Sequence, residues 1–262
     1  MTHGIDLDRE LAMALELADA ADAITLPPYA GRAVTFEWKA DHTEVTALDR
    51  SAEQAIADRL AAERPHHRLL GEELGATGDA ASPWQWIVDP IDGTSGYVRG
   101  IPVWATLIAL AHADGSVVIG VVSAPALGRR WWASRGGGTY ADGRRCRVSE
   151  VDTIAEAQVS VTLNDGWDDL GLTPALVRLG QDARRARGFG DFWQHALVAE
   201  GALDVAVDAV GVAPYDVAAV RLLVEEAGGR FTDRHGVVTH ERGTAISTNG
   251  RLHADVLRRL AT

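Results

Sequence analysis

Residues 89 to 94 read DPIDGT, which sets Asp89 and Asp92 three positions apart around Pro90 and just ahead of Gly93. Upstream, GEE at 71 to 73 places Glu72 and Glu73 directly after the apolar run RLL. Downstream, PYDVAA at 214 to 219 puts Asp216 in the first turn of an apolar helical pattern. Each group has an ordinary explanation by itself. Turn aspartates satisfy nearby amides, an aspartate in a first helical turn meets the dipole favourably, and a Glu pair can be a solvated loop. Together they form a pattern of carboxylates at element ends beside Gly or Pro. Clustered carboxylates repel, and one is driven neutral unless a cation intervenes. A hard divalent ion such as Mg²⁺ supplies that compensation when carboxylates, water and a substrate phosphate share its ligand shell. Only the fold can bring residues 72, 89, 92 and 216 together.

The elements that must position these groups follow from periodicity. WQWIV before Asp89 reads as a buried strand, and Pro90 predicts its end, because proline cannot continue a central strand. Gly93 permits a tight backbone and close approach by a ligand. Thr94 then suits the cap of a helix that begins with SGY. Leu7, Leu11, Leu15 and Ala18 predict a helix over 7–24, stopped by Pro27 and Pro28. VTFEW (34–38) predicts a strand. Thr46 caps a helix to about Glu63, with Leu48, Ala52, Ala55, Ile56 and Leu60 on one face. Short strands are expected at 68–70 and 84–88. WATLIALAH and SVVIGVVSA around ADG form a hairpin, extended by RRWWASR and GGTYADGRR. Strand alternation sends Trp131 and Trp132 to opposite faces.

Beyond residue 150 the rhythm changes. Strands are expected at 158–162, 184–188, 203–207, 229–232 and 244–248, and helices at 173–180, 190–201, 215–227 and 250–260. The fold class is therefore α/β (α+β): a layered sandwich with an antiparallel-rich lobe over 1–150 and a β/α-alternating lobe over 151–262.

Composition limits the partners. A net charge of −12 argues against a nucleic-acid partner, whose affinity rests on Lys and Arg meeting phosphates. GRRCR (143–147) and DARRAR (182–187) are the basic clusters, and such short runs usually face solvent. Cys146 is the only cysteine, so an internal disulfide and a cysteine-ligated metal are excluded. The N-terminus lacks the pattern of a signal peptide. No apolar run approaches the roughly 20 residues of a membrane span. A cytoplasmic protein without membrane partners is expected.

In that order, GEE, DPIDGT and PYDVAAVRLLVEEAGG resemble the inositol monophosphatase superfamily of Mg²⁺-dependent, lithium-sensitive phosphatases, and KADHTEVTALD (39–49) resembles its Lys-bearing metal loop. The resemblance spans essentially the whole chain and implies an αβαβα sandwich. It implies two Mg²⁺ ions, with Glu72, Asp89 and the Ile91 carbonyl at the first and Asp89, Asp92 and Asp216 at the second. A third, looser ion would lie near Glu72 and the Lys39–Asp41 loop. Thr94 and Asp49 resemble the pair that orients the attacking water, Glu72 joins them as a catalytic group, and Glu73 is outer or structural. The phosphate would meet the backbone N–H groups of Gly93, Thr94 and Ser95. The resemblance also implies a homodimer acting on a small phosphate ester.

RGFGDFWQHALVAEGALDVAVD (187–208) resembles the histidinol-phosphate phosphatase branch. There Asp191 suits a substrate carrying an ammonium and an imidazole, Asp208 would add charge at the rim, and Arg187 would fix Asp191 or touch phosphate. Asp191 could equally cap the following helix, Glu200 be a solvated helix residue, His195 an ordinary helix face, and Phe192 and Trp193 core. Ser95-Gly96-Tyr97, Tyr215 and Glu44 depart from the branch pattern, so an inositol, sugar, cyclitol or nucleoside phosphate stays open as substrate, as does a non-catalytic phosphate binder.

Overall fold

The computed structural model describes residues 4–32, 34–39 and 43–261; Asp41 lies outside them. In chain order the first half comprises α1 (Leu7–Ala30), β1 (Glu37–Trp38), β2 (Glu44–Val45), α2 (Ala47–Glu63), β3 (Arg68–Gly71), β4 (Gly75–Gly78), β5 (Trp84–Asp92), α3 (Thr94–Val98), β6 (Ala105–His112), β7 (Val117–Ala124), β8 (Arg129–Ser134), β9 (Gly138–Ala141) and β10 (Arg144–Arg145). The second half comprises β11 (Gln158–Val161), α4 (Asp165–Asp169), α5 (Thr173–Asp182), β12 (Arg185–Arg187), α6 (Asp191–Ala199), β13 (Val205–Val207), α7 (Pro214–Glu226), β14 (Arg230–Thr232), β15 (Ile246–Thr248) and α8 (His253–Leu260).

An eight-stranded sheet runs β10-β9-β8-β7-β6-β5-β3-β4 and a five-stranded sheet runs β12-β11-β13-β15-β14. Helices α1 and α2 cover the outer face of the first sheet, α6 and α7 fill the space between the sheets, and α5 and α8 cover the far face of the second. This is the αβαβα sandwich the sequence predicts.

Strand β6 shows why the layers hold. Leu107 and Ala109 join the core beneath α6 and α7, while Ile108 and Leu110 join the core beneath α1 and α2. Successive side chains alternate faces, so a strand covered on both sides reads as a continuous apolar run. Trp131 and Trp132 divide in the same way, the first fully buried and the second half-buried towards α1 and α2. On β7, a Cβ at Gly120 would come within 2.8 Å of the Ala219 carbonyl of α7. The glycine lets α7 rest directly on the sheet, which fixes the height of Asp216 one turn earlier.

Three expectations need correction, and each has a physical reason. Helix α1 passes through Pro27 and Pro28 and ends at Ala30. The two missing N–H groups fall in its last turn, where Gly31 closes onto the Pro27 carbonyl. The Tyr97 hydroxyl also anchors that end by donating to the Thr25 carbonyl at 2.7 Å. The predicted strand 34–38 shortens to Glu37–Trp38, paired with β2 alone. Finally, β5 does not stop at Val88 but runs through Pro90 to Asp92. Its neighbour β3 last pairs at Val88, so Pro90 meets no ladder on that side.

On the other side of β5, Asp89 pairs with Leu107 and Asp92 with Ala105, so one extra residue forms a bulge. Residues three apart on a regular strand point to opposite faces. The extra residue of a bulge resets that alternation, and both aspartates turn towards α7. Among the described residues no helix is long and apolar enough to cross a membrane.

Candidate metal and phosphate site

Carboxylate oxygens of Asp89, Asp92 and Asp216 lie within 4.8 Å of one another. Each aspartate ties one oxygen to a main-chain N–H. Asp89 accepts from Ile91 at 2.9 Å, Asp216 from Ala213 at 2.7 Å, and Asp92 from Phe192 at 2.7 Å. The first bond belongs to the bulge, the second ties Asp216 back to the residue that precedes α7, and the third reaches across to the start of α6. One oxygen of each carboxylate is thus fixed in place, and the other has no protein donor among the described residues.

The electrostatics follow from that geometry. Burial pushes the Asp89 carboxyl well above its ordinary range, and the charges of Glu72, Asp92 and Asp216 push it further. Asp92 is raised by burial and then by Asp191 and Asp216. Asp216 is pushed up to about 7, chiefly by burial, against the Ala213 hydrogen bond. Hard oxygen donors converging without a countercharge are what a divalent cation of the Mg²⁺ type accepts as ligands. The residues present fit that group.

Glu72 lies outside this trio. It sits on the β3–β4 turn, where its Oε1 accepts from Lys39 Nζ at 2.8 Å while Glu73 takes the same ammonium at 2.5 Å. Burial works against the Lys39 charge, but the hydrogen bonds to both glutamates outweigh it and hold its pKa above the usual range. Tyr215, next to Asp216, is raised to about 12 by burial and by the charges of Glu72, Asp216 and Asp89.

Behind the trio, Asp49 is fully buried at the start of α2, inside the capping box made with Thr46. Its Oδ2 accepts from the Thr46 N–H at 2.8 Å and the Thr46 hydroxyl at 2.6 Å, leaving Oδ1 facing Thr94 Oγ1 at 3.3 Å. The Thr94 hydroxyl is closer to the Ile91 carbonyl, at 2.8 Å. It has one proton and can donate to only one of the two. Burial pushes the Asp49 carboxyl up to about 6 against the Thr46 bonds, with Glu72 and Glu73 adding to the rise.

The cap of α3 is Gly93 rather than Thr94, which occupies the first helical position. Gly93 has φ 84°, and a Cβ there would stand 3.0 Å from the Val103 carbonyl and 3.4 Å from Asp191 Oδ2. Both the left-handed backbone and the tight surroundings call for glycine. Of the residues that depart from the branch pattern, those that follow Thr94 are engaged within the protein. Tyr97 is buried against Tyr29 and Trp104. Gly96 lies against the Val103 carbonyl. Ser95 accepts from Arg99 through both its carbonyl and its hydroxyl, and Arg99 also pairs with Glu44 at 2.8 Å. Two departures, Glu44 and Ser95, are therefore joined by one guanidinium.

The substrate side differs from expectation in several places. Asp191 has φ 49°, a left-handed conformation uncommon outside glycine, and it opens α6 after Gly190 without capping it through its side chain. Its surface is exposed, yet the surrounding protein takes part of the solvent from its carboxyl. That partial withdrawal from water, with the charge of Asp208, pushes it up to about 6 against the influence of His195. Asp208 is not at the rim. It is buried, with Oδ2 at 2.9 Å from His195 Nε2 and Oδ1 accepting from the Ala209 N–H.

His195 is no ordinary helix face either: it is fully buried, with Nδ1 2.7 Å from Ser247 Oγ. Arg187 is exposed on the edge strand β12 and donates to the carbonyl of Ala186 rather than to Asp191. Glu200 is not solvated at large, since it accepts from Arg129 at 2.7 Å and from the Trp131 indole. Phe192 is core, and Trp193 packs half-buried against Phe189.

Glu53 was missed in the sequence. It is buried four residues after Asp49, on the same stripe of α2 as Ile56 and Leu60. An acidic residue repeating the phase of a buried stripe was the available signal.

Residues 6–262 match the model of the inositol monophosphatase family. The chain is 45% identical to a histidinol-phosphatase of Mycobacterium tuberculosis, over 96% of this chain and 97% of that one. It is 41% identical to a histidinol-phosphatase of Streptomyces coelicolor, over 95% of each. Among solved structures it superposes on the extragenic suppressor protein suhB from Bartonella henselae with a TM-score of 0.88 and 28% identity, over 97% of this chain and 99% of that one.

Proposed function

Because the chain belongs to the inositol monophosphatase family, we propose that it is a Mg²⁺-dependent phosphomonoesterase whose substrate is histidinol phosphate, released as histidinol and phosphate. The observation that carries the chemistry is the convergence of Asp89, Asp92 and Asp216, each with one oxygen held by a main-chain N–H. Asp89, Asp92 and Asp216 would hold one Mg²⁺, and Glu72, Asp89 and the Ile91 carbonyl a second. A looser third ion belongs near Lys39 and Asp41. When bound, Mg²⁺ supplies acidification of water and charge to offset the phosphoryl oxygens.

The chain's own residues supply the rest. Thr94 Oγ1 would accept a hydrogen bond from the attacking water and turn its proton from the Ile91 carbonyl, 2.8 Å away, to Asp49 Oδ1 at 3.3 Å. Asp49 is held for this by Thr46. The backbone N–H groups of Gly93, Thr94 and Ser95 start α3 and have no partner within the helix, so they favour the phosphate. Asp191, beside Gly93, offers its carboxylate to the ammonium of the alcohol portion. Asp208, buried against His195, acts on that contact only through the charge that raises the Asp191 carboxyl. Tyr97 is buried and Gly96 packs against the Val103 carbonyl, while Ser95 is exposed and held by Arg99, so the Tyr97 side chain is withdrawn from the substrate.

The enzyme is read as a cytoplasmic homodimer working on a small phosphate ester without nucleic-acid or membrane partners; the net charge of −12 supports the exclusion of nucleic acid. The test is phosphate release in Mg²⁺ from histidinol phosphate, inositol monophosphates, sugar phosphates and nucleoside monophosphates. Histidinol phosphate should lead by at least about tenfold in kcat/KM, equivalent to about 1.4 kcal/mol of discrimination, and EDTA should abolish release. Preference for another ester overturns the substrate. No release from any ester leaves a phosphate-binding protein instead of an enzyme.

A further inference from the structure

The buried stripe of α2 carries a second carboxylate that the proposed chemistry does not use. Glu53 is fully buried. Its two oxygens accept from consecutive main-chain N–H groups, Oε2 from Glu73 at 2.8 Å and Oε1 from Leu74 at 2.8 Å. Those N–H groups belong to the turn after β3 that presents Glu72. Leaving such donors buried and unpaired costs free energy, and a single carboxylate satisfies both from below.

The strand above makes room for it. A Cβ at Gly71 would fall 1.7 Å from Glu53 Oε1 and 2.3 Å from its carboxyl carbon. The end of a long side chain can usually swing away from such a clash. Here it is clamped by two hydrogen bonds in the core, so the glycine and the glutamate require each other. Glu73 and Glu72 both raise the Glu53 carboxyl electrostatically, as burial does, so the arrangement is held by its hydrogen bonds and works against its own charge.

We propose that Glu53 is a positioning residue for the first metal site, fixing the 71–74 turn so that Glu72 reaches the ion, with Gly71 as the space that Glu53 occupies. This rests on the reading of Glu72 as a metal ligand. Glu53 touches neither substrate nor ion; it acts through the main chain of residues 73 and 74.

The experiment measures Mn²⁺ binding by paramagnetic resonance on the full chain, in parallel with the Mg²⁺ dependence of phosphate release. Glu53→Gln keeps the size but can accept only one of the two hydrogen bonds, and its apparent metal affinity should fall about tenfold, the lower end for losing an outer partner of a metal ligand. Gly71→Ala leaves Glu53 in the sequence but expels its carboxylate, and should give the same loss. The double variant should be no worse than either single variant, because one contact is being broken twice.

Glu72→Gln is the control. If it leaves Mn²⁺ binding unchanged, the assignment of Glu72 fails. If it weakens binding while Glu53→Gln and Gly71→Ala bind Mn²⁺ as the parent does and merely melt earlier, Glu53 is structural only and the inference is overturned alone. Losses from Glu53→Gln and Gly71→Ala that add fully in the double variant also overturn it.

Discussion

Asp208 and the aspartates of the candidate metal site are all withdrawn from water, yet they are partnered in opposite ways. Asp208 has its answer inside the fold: the ring of His195 on one oxygen and the Ala209 N–H on the other, with Ser247 completing the far side of the ring. Asp89, Asp92 and Asp216 have one main-chain N–H each and, among the described residues, no other hydrogen-bond donor. A buried group whose partners are supplied adds to a structure, whereas buried like charges without a counterion strain it. The difference marks which carboxylates belong to the architecture and which wait for a ligand.

The largest expected effect comes from removing a charge on the strained side. Asp89→Asn keeps the acceptor for the Ile91 N–H. It should lower phosphate release by more than about a hundredfold, beyond the usual cost of losing an outer partner. In EDTA the same variant should melt at a higher temperature than the parent, because one repelling charge has gone. A lower melting temperature in EDTA would erase the contrast with Asp208.

On the satisfied side the sign reverses. His195→Ala strips Asp208 of its partner and should cost at least about 1–3 kcal/mol of stability in urea, the penalty for an orphaned buried polar group. If its urea midpoint matches that of the parent, the His195–Asp208 contact is not structural.

The smallest effect sharpens the comparison through pH. Asp216 and Asp49 have carboxyls raised from the ordinary 3.8 to about 7 and about 6, so the metal-free fold binds protons more tightly than the unfolded chain does. Their contribution to stability is therefore greatest in acid and falls as pH rises through that window. Mg²⁺ binds the ionised form and should recover the loss. The melting-temperature gain from Mg²⁺ should be larger near pH 8 than near pH 5 by about 4 °C or more, from the usual scale of 2–4 °C per kcal/mol. An equal gain at both values would disconnect these carboxylates from the ion.

Much of the fold was legible because its signals are local. The αβαβα layers follow from apolar runs such as TLIALA, and α2 from its Thr46 capping box. Edge strand β4, GATG, escaped because it is nearly all exposed and its small residues carry no alternation. The path through Pro90 was misread because it depends on where β3 stops pairing, which is a property of the neighbour and not of the segment. In the site, the ligand-bearing turns could be read from residue types at element ends. Asp208, Arg187 and Glu53 could not be placed, because a carboxylate or guanidinium reads the same in sequence whether it faces solvent, substrate or a main-chain donor.

Helix α7 has one further consequence, which concerns the order of synthesis. It covers the inner face of the eight-stranded sheet and carries Asp216, yet it leaves the ribosome more than a hundred residues after Asp92. Until α7 arrives, Leu107, Ala109, Val122 and Trp131 lack their main cover, and the nascent first half shows an apolar sheet to its surroundings. The helix that closes that face is also the one that completes the aspartate trio. An ion held by that trio would therefore report that the chain has been made as far as α7 and that α7 has docked.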